Sequence, residues 1–107
     1  MQDYPVRLLN RMLNTYSPSG HENEIADFLA EQIERIGFTV SRDEVGNVIG
    51  KVGVGPPSVM LCGHMDTIPG FIPVRIEKGS MYGRGAVDAK ASLATMIVAC
   101  AEMIKTR

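Results

Sequence analysis

A chain of 107 residues with 45% hydrophobic residues can bury one modest core, and two independent domains do not fit. Its 11 Lys and Arg against 12 Asp and Glu leave a net charge of -1, interspersed rather than blocked, so neither nucleic acid nor an anionic membrane surface is an expected partner. The opening MQDYPVRLLNRML lacks the layout of a secretory signal, and no apolar run nears the roughly 20 residues of a membrane helix, so a cytoplasmic location is expected.

Pro5 suits a first helical turn, and Val6, Leu9, Met12, Leu13 and Tyr16 recur at three- and four-residue intervals. This spacing predicts a helix ending near Tyr16, where Ser17-Pro18-Ser19-Gly20 breaks the pattern. Ser19 and Glu22 have the S-x-x-E spacing of a capping box for a second helix, whose stripe is Ile25, Phe28, Leu29, Ile33 and Ile36 and whose end is Gly37. His21 reads as an exposed first-turn residue, since nothing around it has ligand spacing. From Phe38 the period becomes two, which predicts a hairpin through Asp43 to Asn47 with its second strand at Val48 to Val52.

After the turn Gly53-Val54-Gly55-Pro56-Pro57, the apolar run Val59-Met60-Leu61-Cys62 predicts a central strand covered on both faces. Val74 to Glu77 and Met81-Tyr82 read as short strands separated at Gly79. The last element, about Lys90 to Lys105, is a helix that is apolar nearly all round. Such a helix normally lies inside a larger protein, so the chain reads as ending within a domain. Its uncovered apolar surface is expected to drive self-association into homo-oligomers. Cys62 and Cys100 both sit in apolar runs and are expected to be free, buried thiols rather than a disulfide.

Chemistry concentrates at two places. His64 and Asp66, two apart in Cys62-Gly63-His64-Met65-Asp66-Thr67, follow the predicted strand, and strand ends commonly line ligand clefts. A metal-binding imidazole needs an acceptor on its second nitrogen, and a carboxylate two residues on can serve. Taken alone, H-x-D is equally a surface His beside a capping Asp. Asp88 lies at the entry to the last helix after Gly83 and Gly85. There it can act as a cap or dipole partner worth about 1 kcal/mol, or as a carboxylate bridging two divalent ions about 3.5–4 Å apart.

Together these residues resemble the metallohydrolase family that includes acetylornithine deacetylase, succinyl-diaminopimelate desuccinylase, aminoacylase and zinc carboxypeptidases of the same fold. The pattern of that family is a strand ending in G-H-x-D, a V/I-P loop, and L/M-Y-G-R-G-x-x-D-x-K. Here it stands as Gly63 to Asp66, Ile68-Pro69 and Met81 to Lys90. The resemblance spans essentially the whole chain and implies an α/β fold, an incomplete zinc-peptidase-like catalytic domain with helices packed on a mixed sheet. Residues 1–107 would form its N-terminal part, with the remainder and a lid or dimerisation domain beyond Arg107.

By the same resemblance, His64 and Asp88 are metal ligands, Asp66 is the catalytic residue that orients His64, and the cofactors are two divalent ions, zinc or alternatively cobalt. The short connection Gly70 to Val74, with P-V-R-I-E-x-G and G-R-G-A-V-D-A-K, is most similar to the branch that releases lysine or ornithine from an amino-group carrier protein in lysine and arginine biosynthesis. The implied partner is that carrier protein or a small N-acyl amino acid. A dipeptidase or another N-acyl-amino-acid deacylase is the alternative within the family, and a non-catalytic scaffold the alternative outside it.

Two departures stand out. The chain has no Trp and lacks the longer Trp-containing insert of many members, and Ala91 replaces the usual Gly after the Lys. The Glu general base and the other ligands of the family have no counterpart here, and Glu102 does not match that base. Residues 1–107 alone are therefore expected to bind metal weakly and to lack hydrolase activity.

Overall fold

The computed structural model describes residues 3–105; the outermost positions of the expected 1–107 unit lie outside the described residues. Helix α1 spans Tyr4–Asn14, with Pro5 in its first turn and the Asp3 carboxylate accepting from Val6 N–H at 3.4 Å. Helix α2 spans Asn23–Ile36 and closes on Gly37, whose φ of 123° a side chain would resist. Helix α3 spans Ala91–Lys105. The apolar stripes of the three meet in one core of Leu8, Met12, Ile25, Leu29 and Ala94, against which Met65, Leu93 and Ile97 also pack.

The strands form two separate antiparallel hairpins. In the first, β1 (Thr39–Arg42) pairs with β2 (Val48–Lys51) in the register Thr39 to Lys51 and Arg42 to Val48. Its loop is closed by Asp43, which accepts from Val45 N–H at 3.1 Å and from the backbone and side chain of Asn47 at 2.9 and 2.7 Å. Those bonds, the Asn47 side chain foremost, hold the Asp43 carboxyl below its usual pKa. The second hairpin joins β3 (Arg75–Glu77) to β4 (Ser80–Tyr82) through Lys78 and Gly79. Both turn residues have positive φ, 51° and 81°, as a type I′ turn requires.

The mixed helix and strand composition expected of a partial metallohydrolase domain is present. Four local expectations are corrected. Helix α1 stops at Asn14 rather than near Tyr16, because Thr15 turns extended and its hydroxyl donates to the Arg11 carbonyl. The capping box does not form: Glu22 occupies the N-cap without a side-chain bond, and the Ser19 hydroxyl is engaged elsewhere. The central strand at Val59 to Cys62 is absent, with Val59 and Met60 87% and 86% exposed. Its backbone finds no pairing strand among the described residues, since each hairpin satisfies its own two members, and a lone extended segment has nothing to hydrogen-bond to. The expected burial of Cys62 fails with it; Cys62 is exposed, and both cysteines are free.

No helix among the described residues is long and apolar enough to cross a membrane. The core is small, so each of its members carries weight. Leu29, 4% exposed at the centre of the helix interface, is expected to cost about 2–5 kcal/mol on substitution by Ala, measured as a lowered urea midpoint at unchanged slope.

Candidate metal centre

A short parallel clamp places the first half of the site. Residues 17–19 lie alongside residues 65–67: Thr67 N–H donates to the Ser17 carbonyl at 2.9 Å, and Ser19 N–H to the Thr67 carbonyl at 3.1 Å. The fully buried Ser17 adds its hydroxyl to the Met65 carbonyl at 2.8 Å. Because Met65 packs on the helical core while His64 and Asp66 flank it, the side chains of those two neighbours are turned outward. Gly63 lies directly on α3; a Cβ there would sit 3.4 Å from Leu93 and 3.6 Å from Met96.

The second half is the loop before α3. Asp88 and Ala89 have non-helical dihedrals, and the loop closes with Lys90 N–H donating to the Gly85 carbonyl at 2.8 Å. Lys90, 1% exposed, crosses to α1, where its ammonium donates to the carbonyls of Met12 and Thr15, both at 2.9 Å. The carbonyl end of a helix favours a cation, but burial still pushes this ammonium down to about 8 from its ordinary 10.5. The loop is thereby tied to the end of the helix that leads into residues 17–19.

These two supports bring all three sequence-predicted site residues together. His64 Nδ1 lies 3.0 Å from Asp66 Oδ1 and 3.1 Å from the Asp66 carbonyl, and His64 Nε2 lies 3.0 Å from Asp88 Oδ1. The Asp88 carboxylate raises the His64 pKa, with smaller help from Asp66. Asp66 is held below the usual carboxylate range, chiefly by the Ser19 hydroxyl, which donates to its Oδ2. His64 is half exposed, and Asp88 is 88% exposed.

This donor set fits a cation. Both ring nitrogens face acceptors, two at Nδ1 and one at Nε2; a neutral ring with its proton on Nδ1 leaves the Nε2 lone pair pointing at a carboxylate oxygen. Two electron-rich atoms in that arrangement need a proton or a metal ion between them. Zinc bonds His and carboxylate donors at about 2 Å, which puts two ligands of one ion about 3 Å apart. No group of three or more His, Cys, Asp or Glu side chains suited to a metal occurs among the described residues, so His64 and Asp88 make at most a partial set.

His21, read from the sequence as exposed, is exposed, and it lines a shallow pocket with Tyr16, Pro18 and Glu24 rather than facing His64. Two contributors escaped the sequence reading. Ser19 reads locally as a helix cap, and its partner lies 47 residues away with no local signal. Lys90 was visible only as the last letter of a motif. Tyr16 and Arg84 brace the loop at Gly70: the Tyr16 hydroxyl accepts from Gly70 N–H, and Arg84 Nε donates to the Gly70 carbonyl, both at 2.6 Å.

The two halves touch at Gly85. Its φ is 87°, and a Cβ there would lie 2.7 Å from Thr67 Cγ2. Gly85→Ala is therefore expected to lower stability by roughly 1–3 kcal/mol through overpacking in a strained backbone conformation, read from chemical denaturation.

Comparison with known proteins agrees with the motifs. Residues 60–107, which contain His64, Asp66 and Asp88, match the model of peptidase family M20/M25/M40. Over 98 residues the chain is 52% identical to a Pyrococcus furiosus protein provisionally named a LysW-lysine/LysW-ornithine hydrolase, covering 91% of this chain and 30% of that one. It is 50% identical over 93 residues to the LysW-lysine hydrolase of Deinococcus radiodurans, with coverage of 86% and 26%. To the LysW-lysine/LysW-ornithine hydrolase of Sulfurisphaera tokodaii it is 36% identical over 92 residues, with coverage of 86% and 25%. The chain thus spans less than a third of the length of these relatives. By its motifs, the family match and these identities, the chain is similar to the M20/M25/M40 peptidases over the part of their length that it spans.

Proposed function

We propose that this chain contributes part of the active site of a metal-dependent amidohydrolase that releases lysine or ornithine from a carrier-protein-linked or N-acylated precursor. The observation that carries this reading is the His64 imidazole held between two carboxylates, Asp66 on one nitrogen and Asp88 on the other, each at 3.0 Å. The names of the relatives support the substrate class. Two divalent ions, zinc or alternatively cobalt, would polarise the scissile carbonyl and make water nucleophilic near neutral pH.

The chain's own residues divide the work. Asp66 accepts a hydrogen bond from Nδ1–H and keeps the ring oriented with Nε2 outward. His64 Nε2 and Asp88 Oδ1 are the two ligands. The exposure of Asp88 leaves its carboxylate open to a further cation, which is what a bridging ligand needs. Glu102 takes no part: it sits on α3, paired with Lys105 at 3.3 Å. The general base and the remaining ligands would come from elsewhere in a polypeptide of the length its relatives have.

The test is an assay of a polypeptide of that length against carrier-linked lysine, acetylornithine and succinyl-diaminopimelate, after chelation and again after adding back zinc or cobalt. Metal-restored release of lysine from the carrier, lost in His64→Ala, is the expected result. Turnover of only the small acylated substrates would move the protein to the deacylase branch. Full activity in the chelated protein or in His64→Ala would end the metallohydrolase reading.

A further inference from the structure

Both nitrogens of His64 face a carboxylate at the same 3.0 Å distance, so distance alone does not decide which one keeps the proton of the neutral ring. Nδ1 also meets the Asp66 carbonyl at 3.1 Å, and the two carboxylates are held differently. Asp88 is 88% exposed and projects from an irregular loop, whereas the Asp66 side chain is 33% exposed and has its second oxygen, Oδ2, engaged by the Ser19 hydroxyl. We propose that Ser19 is a positioning residue: by occupying Asp66 Oδ2 it commits Oδ1 to His64 Nδ1, and so leaves Nε2 as the nitrogen available to a cation. This role rests on the metal-centre reading given above.

The geometry isolates the hydroxyl. Ser19 is located by its backbone, through its N–H bond to the Thr67 carbonyl and the neighbouring bond from Thr67 N–H to the Ser17 carbonyl. Neither bond uses the side chain, whose hydroxyl adds only a long 3.5 Å contact to the same Thr67 carbonyl, so removing the hydroxyl leaves both backbone bonds of the clamp in place. Without it the Asp66 carboxylate can rotate about its terminal torsion, which is broad, and can offer either oxygen or neither to the imidazole. A carboxylate that loses its fixed direction loses the orienting role that such partners have for metal-binding His.

The experiment uses ring-nitrogen NMR of the chain without metal, at a pH where His64 is neutral, comparing wild type with Ser19→Ala, Ser19→Val and Ser19→Thr. The chain has 2 His residues, and His21 serves as the internal reference. The expected result is an Nδ1–H tautomer for His64 in the wild type and in Ser19→Thr, a shift toward Nε2–H in Ser19→Ala and Ser19→Val, and no change at His21. Thr and Val have the same shape, so a packing effect moves both, while the hydroxyl effect separates them. An unchanged tautomer in a folded Ser19→Ala or Ser19→Val, or equal shifts in Thr and Val, overturns the proposal. The readout needs no hydrolysis: a failed substrate assay with the tautomer shift intact would sink the enzymatic reading alone, and the reverse would reduce Ser19 to a structural residue.

Discussion

The pairing of residues 17–19 with residues 65–67 is the constraint on which the site depends. Only a few backbone bonds make it up, yet it joins the exit of α1 to the segment that carries His64 and Asp66. Buried Ser17 and Thr67 sit at its centre, where an unmatched polar group would cost about 1–3 kcal/mol, so the register is specified by hydrogen bonding as well as by the apolar contacts of Met65. The geometry of His64 follows from that register, because a shift of one residue would turn its side chain inward and Met65 outward.

Lys90 provides the complementary constraint from the other side. A buried ammonium held by neutral carbonyls is an expensive way to join two segments, and among the described residues Lys90 donates to the carbonyls of Met12 and Thr15. Its position explains why the loop holding Asp88 does not continue α3 upstream: the backbone departs from helical geometry at Asp88 and Ala89 while the lysine side chain reaches back to α1. The same helix end therefore leads into the clamp and anchors the loop, and His64 and Asp88 meet because both routes start from it.

Much of the local structure was legible from period and punctuation. The three helices, the first hairpin, the two short strands on either side of Gly79 and the C-terminal cap at Gly37 follow from spacings that the backbone itself imposes. The three site residues were legible as a motif, and the structure brings them within hydrogen-bond distance. Long-range partners were not legible. S-x-x-E at Ser19 and Glu22 is a sound local signal for a cap, but the hydroxyl has a stronger acceptor in a carboxylate 47 residues away. Val59 to Cys62 has strand composition but no strand beside it among the described residues, and composition does not reveal whether a partner is present. Lys90 carries no sequence sign of burial, because lysine is rarely buried at all.

The central claim is that His64 and Asp88 serve one cation. Titration of the chain with Mn2+, followed by paramagnetic broadening of assigned resonances, tests it most directly. The account predicts that the His64 ring and the Asp88 signals broaden together along one binding curve, with Asp66 close behind and His21 unaffected at the same concentrations. Broadening at one of the two without the other, or first at an unrelated carboxylate such as Asp43, would contradict it.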